Sequence, residues 1–244
     1  MNAPNQTLPA AQPVEGLLAG LDLLEITRHG VVLQLRLNRP AKRNALSDPL
    51  IQQLHTAFVN LPEDIRAVVI SGAGEHFCAG LDQSELVERD IGSGVLHSRM
   101  WHAAFDAIQF GRVPVVAVLH GAVVGGGGSA RIPRLMGVAR MTDLMLTGRV
   151  YDAQEGHDAG LAHYLVADGE GLAKGIALAQ RIASNAPMSN FAVMHALPRI
   201  ADQSQSEGLF TEALMAAVAE STPEAQTRLR AFLEGRAGKV VKAS

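Results

Sequence analysis

The residues from Val113 to Arg134, VPVVAVLHGAVVGGGGSARIPR, constrain the fold more than any other stretch. Val113, Val115, Val116 and Val118 form a β-branched apolar run that predicts a buried strand. The run passes through His120-Gly121 into four consecutive glycines, Gly125 to Gly128. Without Cβ atoms the main chain there can approach a ligand closely, and where a helix begins the first N–H groups lack an internal acceptor and point outward. Donors so arranged hold an anion or a developing oxyanion.

Strands and helices alternate around this stretch. Residues 1–20 carry Pro4, Pro9 and Pro13 among small and polar residues and are expected to form a mobile tail, with order beginning near Leu23. Leu24–Thr27 and Val31–Leu37 flank His29-Gly30 as a hairpin, and Leu33, Leu35 and Leu37 alternate with Gln34 and Arg36 as in a half-buried strand. Ser47 followed by Pro49 predicts the N-cap of a helix reaching about Asn60, and Arg66–Ser71 predicts a short buried strand. Gly72, Gly74 and Gly80 then break the chain into a loop before a helix over Val95–Gln109. Beyond the glycines the expected elements are a helix over Leu135–Leu146 ended by Gly148, a helix over Ala153–Ala159, a short strand over Leu161–Val166 and an amphipathic helix that stops before Pro187. Helices over Phe191–Ile200, Glu207–Glu220 and Pro223–Phe232 fill the remainder, with a basic tail after them. Alternation followed by a run of helices predicts an α/β core over 21–186 and a helical region over 187–244.

Composition narrows the function. With 48% hydrophobic and 18% charged residues, the 244-residue chain has a globular composition sufficient for a sizeable core. A net charge of −3 leaves no overall basic field for nucleic acid or anionic lipid. Arg228, Arg230, Arg236, Lys239 and Lys242 have only Phe232 among them, which reads as a solvated helix face. Cys78 is the only cysteine, excluding an intrachain disulfide and cysteine-built metal sites, and the nine histidines lack HExxH spacing. No signal-peptide pattern and no apolar run long enough to span a bilayer is present. The expectation is a cytoplasmic protein acting on small molecules, with no metal, nucleic-acid or membrane partner.

Four stretches, in order, resemble the crotonase family, the enoyl-CoA hydratase/isomerase superfamily. They are Leu37–Leu46 (LNRPAKRNAL), Val69–Asp82 (VISGAGEHFCAGLD), Val113–Gly127 and Arg134–Val166. The C-terminal RAFLEGR is similar to the family's last helix. The resemblance implies a spiral of ββα units with a C-terminal helical trimerisation region, assembly as a homotrimer or dimer of trimers, and acyl-CoA thioesters of fatty acid metabolism as substrates. No separate cofactor is implied, because coenzyme A is part of the substrate. By position it implies an oxyanion hole formed by the backbone N–H groups of Leu81 and Gly126, in a substrate groove lined by Ala41, Lys42, Arg43, Ala79, Gly80, Asp82 and Gly125. Each N–H aimed at developing charge in a dry site is worth on the order of 2.7–4 kcal/mol of transition-state stabilisation. Lys42 or Arg43 is a candidate for the CoA phosphates, against the alternative of solvated turn cations. The implied reaction is addition of water to a 2-enoyl-CoA, with isomerisation, decarboxylation or lysis of a related thioester as the alternative.

The chain departs from the family at its glycines. A family hydratase continues from three glycines into a helix bearing one catalytic glutamate, then two strands, then a loop bearing a second; the two carboxylates hold the water and move the protons. Here Gly125–Gly127 run directly into Gly128-Ser129-Ala130-Arg131, which is similar to the family's later segment before RLMGVAR. About thirty residues have no counterpart; Ser129 stands where the first glutamate falls, and nothing stands for the second. Two explanations stay open: a chain without the segment, or a sequence joined across it. The first also admits a catalytically silent protein that binds CoA thioesters.

Other candidates read as structural. Gly125-x-Gly127-x-x-Ala130 fits a dinucleotide fingerprint, but as a lone motif with Asp143 and Asp152 wrongly placed for the ribose. Cys78 lies between Phe77 and Ala79 as an inert buried thiol, and His120 ends a strand. Trp101 and Phe105 suit core or acyl-pocket wall, Asp82 suits capping of the next helix, and Glu85, Glu155 and His157 suit the surface.

Overall fold

A computed structural model describes residues 10–124 and 128–236. The first half contains β1 (Gln12–Pro13), a 3-10 turn (Gly16–Gly20), β2 (Leu24–His29), β3 (Val32–Leu37), a 3-10 turn (Pro40–Lys42) and α1 (Asp48–Val59). It continues through β4 (Ala67–Gly72), β5 (Cys78–Ala79), a 3-10 turn (Gln83–Glu85), α2 (Ile91–Gln109), β6 (Val115–Ala117) and β7 (Val123–Val124). The second half is helical among the described residues: α3 (Gly128–Arg131), α4 (Pro133–Met136), α5 (Val138–Thr147), α6 (Ala153–Asp158) and α7 (Gly171–Ala183) precede α8 (Pro187–His195), α9 (Leu197–Ala201), α10 (Gln205–Glu220) and α11 (Pro223–Leu233). No helix among them is long and apolar enough to cross a membrane.

The strands form a five-stranded sheet, β1-β2-β3-β4-β6, and a two-stranded sheet, β5-β7. The β2/β3 hairpin is antiparallel, whereas β4 joins β3, β6 joins β4 and β7 joins β5 in parallel. Each passage of strand, strand and helix therefore lays one strand beside its predecessor in both sheets, which is the spiral of ββα units. Cys78 pairs with Val123 and Ala79 with Val124.

Local chemistry accounts for the helix boundaries. Ser47 Oγ accepts the Leu50 amide at 3.3 Å and caps α1, with Leu50, Ile51, Leu54, Ala57 and Phe58 buried on its inner face. Asp90 caps α2 through the Ser93 amide, four residues before the expected start at Val95. The expected Leu135–Leu146 helix is two helices, because Gly137 adopts φ +88° and interrupts the ladder between α4 and α5. Gly148, left-handed at φ +63°, ends α5 as expected.

Three further expectations are corrected. Ordered structure begins before Leu23: β1 pairs with β2, placing Pro13 on a sheet edge where its missing N–H costs no ladder bond, and Leu18 and Leu21 are buried in the core. Leu161–Val166 is not a strand; the Leu161 amide bonds back to the Gly156 carbonyl at 2.9 Å and closes the end of α6. Within the valine run only Val113 is buried, while Val115, Val116 and Val118 are half-buried, because β6 is the outermost strand and pairs only with β4.

The core has two parts. Leu33, Leu35 and Leu37 on one face of β3 pack with α1, α2, Val68 and Ile70. The opposite face was expected to be solvated, yet α7 covers it: Val32, Ala67 and Val69 pack with Ile176, Ala179 and Ala183. Gln34 is consequently 9% exposed, and its Oε1 lies 3.0 Å from His29 Nε2, which satisfies the buried amide.

Candidate active site

The turn Arg39–Leu46 and the segment Cys78–Asp82 lie side by side because their backbones bond to one another. Ala79 N donates to Arg43 O at 3.0 Å, Leu46 N to Gly80 O at 2.7 Å and Asp82 N to Leu46 O at 2.8 Å. The structure thus brings together Ala41, Lys42, Arg43, Ala79, Gly80, Leu81 and Asp82. Gly125 and Gly126 lie outside the described residues, but Val124 immediately before them sits against Gly80.

The Gly80–Leu81 peptide is trans and planar, so its carbonyl and its N–H point in opposite directions. Because the Gly80 carbonyl is bonded to Leu46, the Leu81 N–H is directed away from the Arg39–Leu46 turn, and it has no hydrogen-bond acceptor among the described residues. Gly80 takes φ +86°, which favours a residue without Cβ. This is a donor whose direction the peptide plane fixes.

Asp82 makes the capping contact expected of it, at the start of the 3-10 turn Gln83–Glu85. Its carboxylate, 5% exposed, bonds to Arg39 Nη2 at 2.8 Å and accepts from the amide and hydroxyl of Ser84 at 3.1 and 2.6 Å; Lys42 Nζ lies 3.9 Å away. The Ser84 hydroxyl, the Arg39 guanidinium and the Ser84 amide hold the carboxyl far below its ordinary range. With these partners in place, Asp82 caps the following turn. Lys42 also approaches Ser84 Oγ at 3.4 Å. Arg43 is exposed, and its guanidinium makes no ion pair or hydrogen bond among the described residues.

Arg39 and Asn44 were not singled out by sequence. Asn44 is fully buried at φ +55°, a conformation asparagine tolerates better than most residues; its Oδ1 accepts from Arg39 N, and its Nδ2 donates to the carbonyls of Ala73 (2.8 Å) and His76 (2.7 Å). The signal available was an asparagine inside LNRPAKRNAL flanked by turn residues.

The remaining candidates are structural. Burial pushes the Cys78 thiol up, and its Sγ accepts from Gly80 N at 3.4 Å. His120 Nε2 bonds to the Gly74 carbonyl at 3.1 Å. Trp101 is buried, with its indole N–H donating to Asp48 at 2.8 Å, and Phe105 packs against the core. Glu85 accepts from the Asp48 amide, Glu155 completes a capping box with Asp152, and His157 sits beside Asp158.

Known proteins match this architecture. The Rhodopseudomonas palustris CGA009 protein provisionally named an enoyl-CoA hydratase has a crystal structure that superposes with a TM-score of 0.85 at 45% identity, covering 91% of this chain and 98% of that one. The enoyl-CoA hydratase EchA19 of Mycobacterium tuberculosis is 28% identical over 90% of this chain and 96% of its own length. The 2,3-dehydroadipyl-CoA hydratase of Escherichia coli K12 is 27% identical over 87% and 96% respectively. The EchA19 alignment runs over 256 positions while using 90% of the 244 residues, and the Escherichia coli alignment over 245 while using 87%. Each relative therefore carries more than thirty positions that this chain lacks. The family described as Enoyl-CoA hydratase/isomerase matches residues 27–130 and again 127–240, so Gly127–Ala130 end one match and begin the next. Matched in order from residue 27 to residue 240 and superposed on a solved relative over nearly its whole length, the chain belongs to the enoyl-CoA hydratase/isomerase family.

Proposed function

We propose that the protein processes acyl-CoA thioesters as an enoyl-CoA hydratase, a lyase-type activity in which water adds across the double bond of a 2-enoyl-CoA. The observation that carries the reading is the Leu81 N–H, directed by its peptide plane and without an acceptor among the described residues. The thioester oxygen accepts from Leu81 and, by family position, from Gly126. Electron density moves onto that oxygen as the oxygen of water bonds to C3 and the water gives up a proton, and delivery of one proton to C2 completes the 3-hydroxyacyl-CoA, so that one water is added overall. The exposure of Arg43, whose guanidinium has no ion pair or hydrogen bond among the described residues, supports it as the partner of the CoA phosphates, whereas Lys42 is shared with Asp82. The names of EchA19 and the dehydroadipyl-CoA hydratase support the substrate class. Exposed Leu209, Phe210, Leu214 and Val218 on α10 support assembly as a homotrimer or dimer of trimers, and we place the protein in the cytoplasm.

A second reading has its own support. The positions missing at Gly127–Ala130 are those in which the family carries its acid and base, so the 244-residue chain is also consistent with a CoA-thioester binder that does not hydrate. Isomerisation is a related alternative, represented by the 26% identical peroxisomal Delta(3,5)-Delta(2,4)-dienoyl-CoA isomerase of Arabidopsis thaliana.

Crotonyl-CoA hydration, followed as loss of enoyl-thioester absorbance on protein of verified intact mass, separates these. Turnover at the mass of 244 residues supports hydration by this chain's own groups. Turnover only at a larger mass assigns the activity to a segment joined across the glycines. Binding without turnover at the expected mass selects the silent reading, and absence of both binding and turnover removes both readings.

A further inference from the structure

We propose that Arg39 and Asn44, acting through Asp82 and Leu46, are the positioning residues that aim the Leu81 N–H at the thioester oxygen; this rests on the reading of Leu81 as an oxyanion donor.

The direction of that N–H depends on the Leu46–Gly80 bond, because the Gly80 carbonyl and the Leu81 amide belong to one rigid unit. Leu46 therefore has to be held in place, and two side chains hold it. Arg39 donates from Nη1 to the carbonyl of Ala45 at 2.6 Å and from Nη2 to Asp82 at 2.8 Å, so one guanidinium grips the residue before Leu46 and the residue after Leu81. Asn44 works from the other side. Its amide fastens the turn to the carbonyls of Ala73 and His76, ahead of β5, and its Oδ1 holds the backbone of Arg39 itself.

The planar fork of Arg39 matters here. A lysine reaches one acceptor as a point charge and cannot bridge a carboxylate and a carbonyl in fixed geometry. Asp82 is thereby a member of the clamp, which explains why a carboxylate beside the groove is turned inward with every oxygen engaged. Neither Arg39 nor Asn44 is placed to touch the thioester; they set the angle of a donor that does.

The test uses 4-dimethylaminocinnamoyl-CoA, a conjugated thioester whose absorbance moves to longer wavelength when donors polarise its carbonyl, together with a separate titration of free coenzyme A. The full-length protein is compared with Arg39→Gln, Arg39→Lys and Asp82→Asn, each checked for folding by circular dichroism. The expected result is a smaller red shift in all three variants, with coenzyme A bound as tightly as before. Arg39→Lys, which keeps a charge beside Asp82 and so preserves the fold, carries the same two readouts if Arg39→Gln does not fold. An undiminished red shift in the folded variants overturns the clamp while leaving Leu81 as the donor. Parallel loss of shift and coenzyme A affinity also overturns it, because the residues would then shape the whole groove. Absence of a red shift in the unaltered protein instead overturns the donor reading on which the proposal stands.

Discussion

Val124 occupies the space that a side chain on Gly80 would need: a Cβ added there would fall 2.7 Å from Val124 Cγ1. Strand β7 is thus packed directly against the peptide that precedes Leu81. Gly80→Ala is expected to destabilise the protein by about 1–3 kcal/mol through overpacking, with an additional contribution from its positive φ, and to push β7 away from Leu81. Urea unfolding measures the first effect. Loss of the red shift of a bound conjugated acyl-CoA measures the second.

Asn44 combines a left-handed backbone with three side-chain hydrogen bonds. Asn44→Ala and Asn44→Gly both delete the bonds, and each buried group left unpaired costs about 1–3 kcal/mol. Glycine relieves the backbone preference that alanine retains, worth about 1–2 kcal/mol, so the glycine variant is expected to be the more stable of the two. Equal denaturant midpoints for the pair would contradict this account of the position.

Acid should weaken the fold partly through Asp82. Its folded value is lowered, so its stabilisation is complete above the unfolded carboxylate value of about 3.9 and is lost as pH falls below that, through the folded value. Unfolding free energies measured from pH 6 downward should fall less steeply below pH ~4 in Asp82→Asn than in the unaltered protein.

Arg43 and Lys42 should contribute unequally to coenzyme A. Removal of the unengaged guanidinium in Arg43→Ala is expected to weaken binding by about tenfold at low salt, the scale of one charge-assisted hydrogen bond to phosphate. Lys42→Ala should have a smaller effect, because that ammonium already lies near Asp82 and Ser84. A pantetheine thioester, which lacks the nucleotide phosphates, should bind the Arg43 variant and the unaltered protein equally.

Features set by neighbours in sequence were legible. The Ser47 cap, the β2/β3 hairpin and the Gly148 stop each depend on a few adjacent residues, and each stands where periodicity and turn chemistry predict it. Features set by distant partners were not. Gln34 reads as solvent-facing until α7 covers its side of β3, and Leu161–Val166 reads as a strand although its leading amide closes a helix. The same division runs through the site. LNRPAKRNAL and FCAGLD were visible as motifs and the capping role of Asp82 followed from its neighbours, but its ion pair with Arg39 did not, because Arg39 is remote in sequence, and Arg39 and Asn44 passed unnoticed because their bonds run to distant carbonyls and a carboxylate.

Strand β6 is tied to β4 by only three register pairs and β7 to β5 by two, and both strands form the outer edge of their sheets. Opening costs less free energy where so few bonds must break, so this corner is expected to open more readily than the β2-β3-β4 centre of the sheet. When β7 lifts, Val124 leaves Gly80 and the peptide before Leu81 loses its packing. Hydrogen exchange at the amides of Phe77 and Cys78, which donate across this seam to His120 and Ala122, would therefore report how often that peptide is left unsupported.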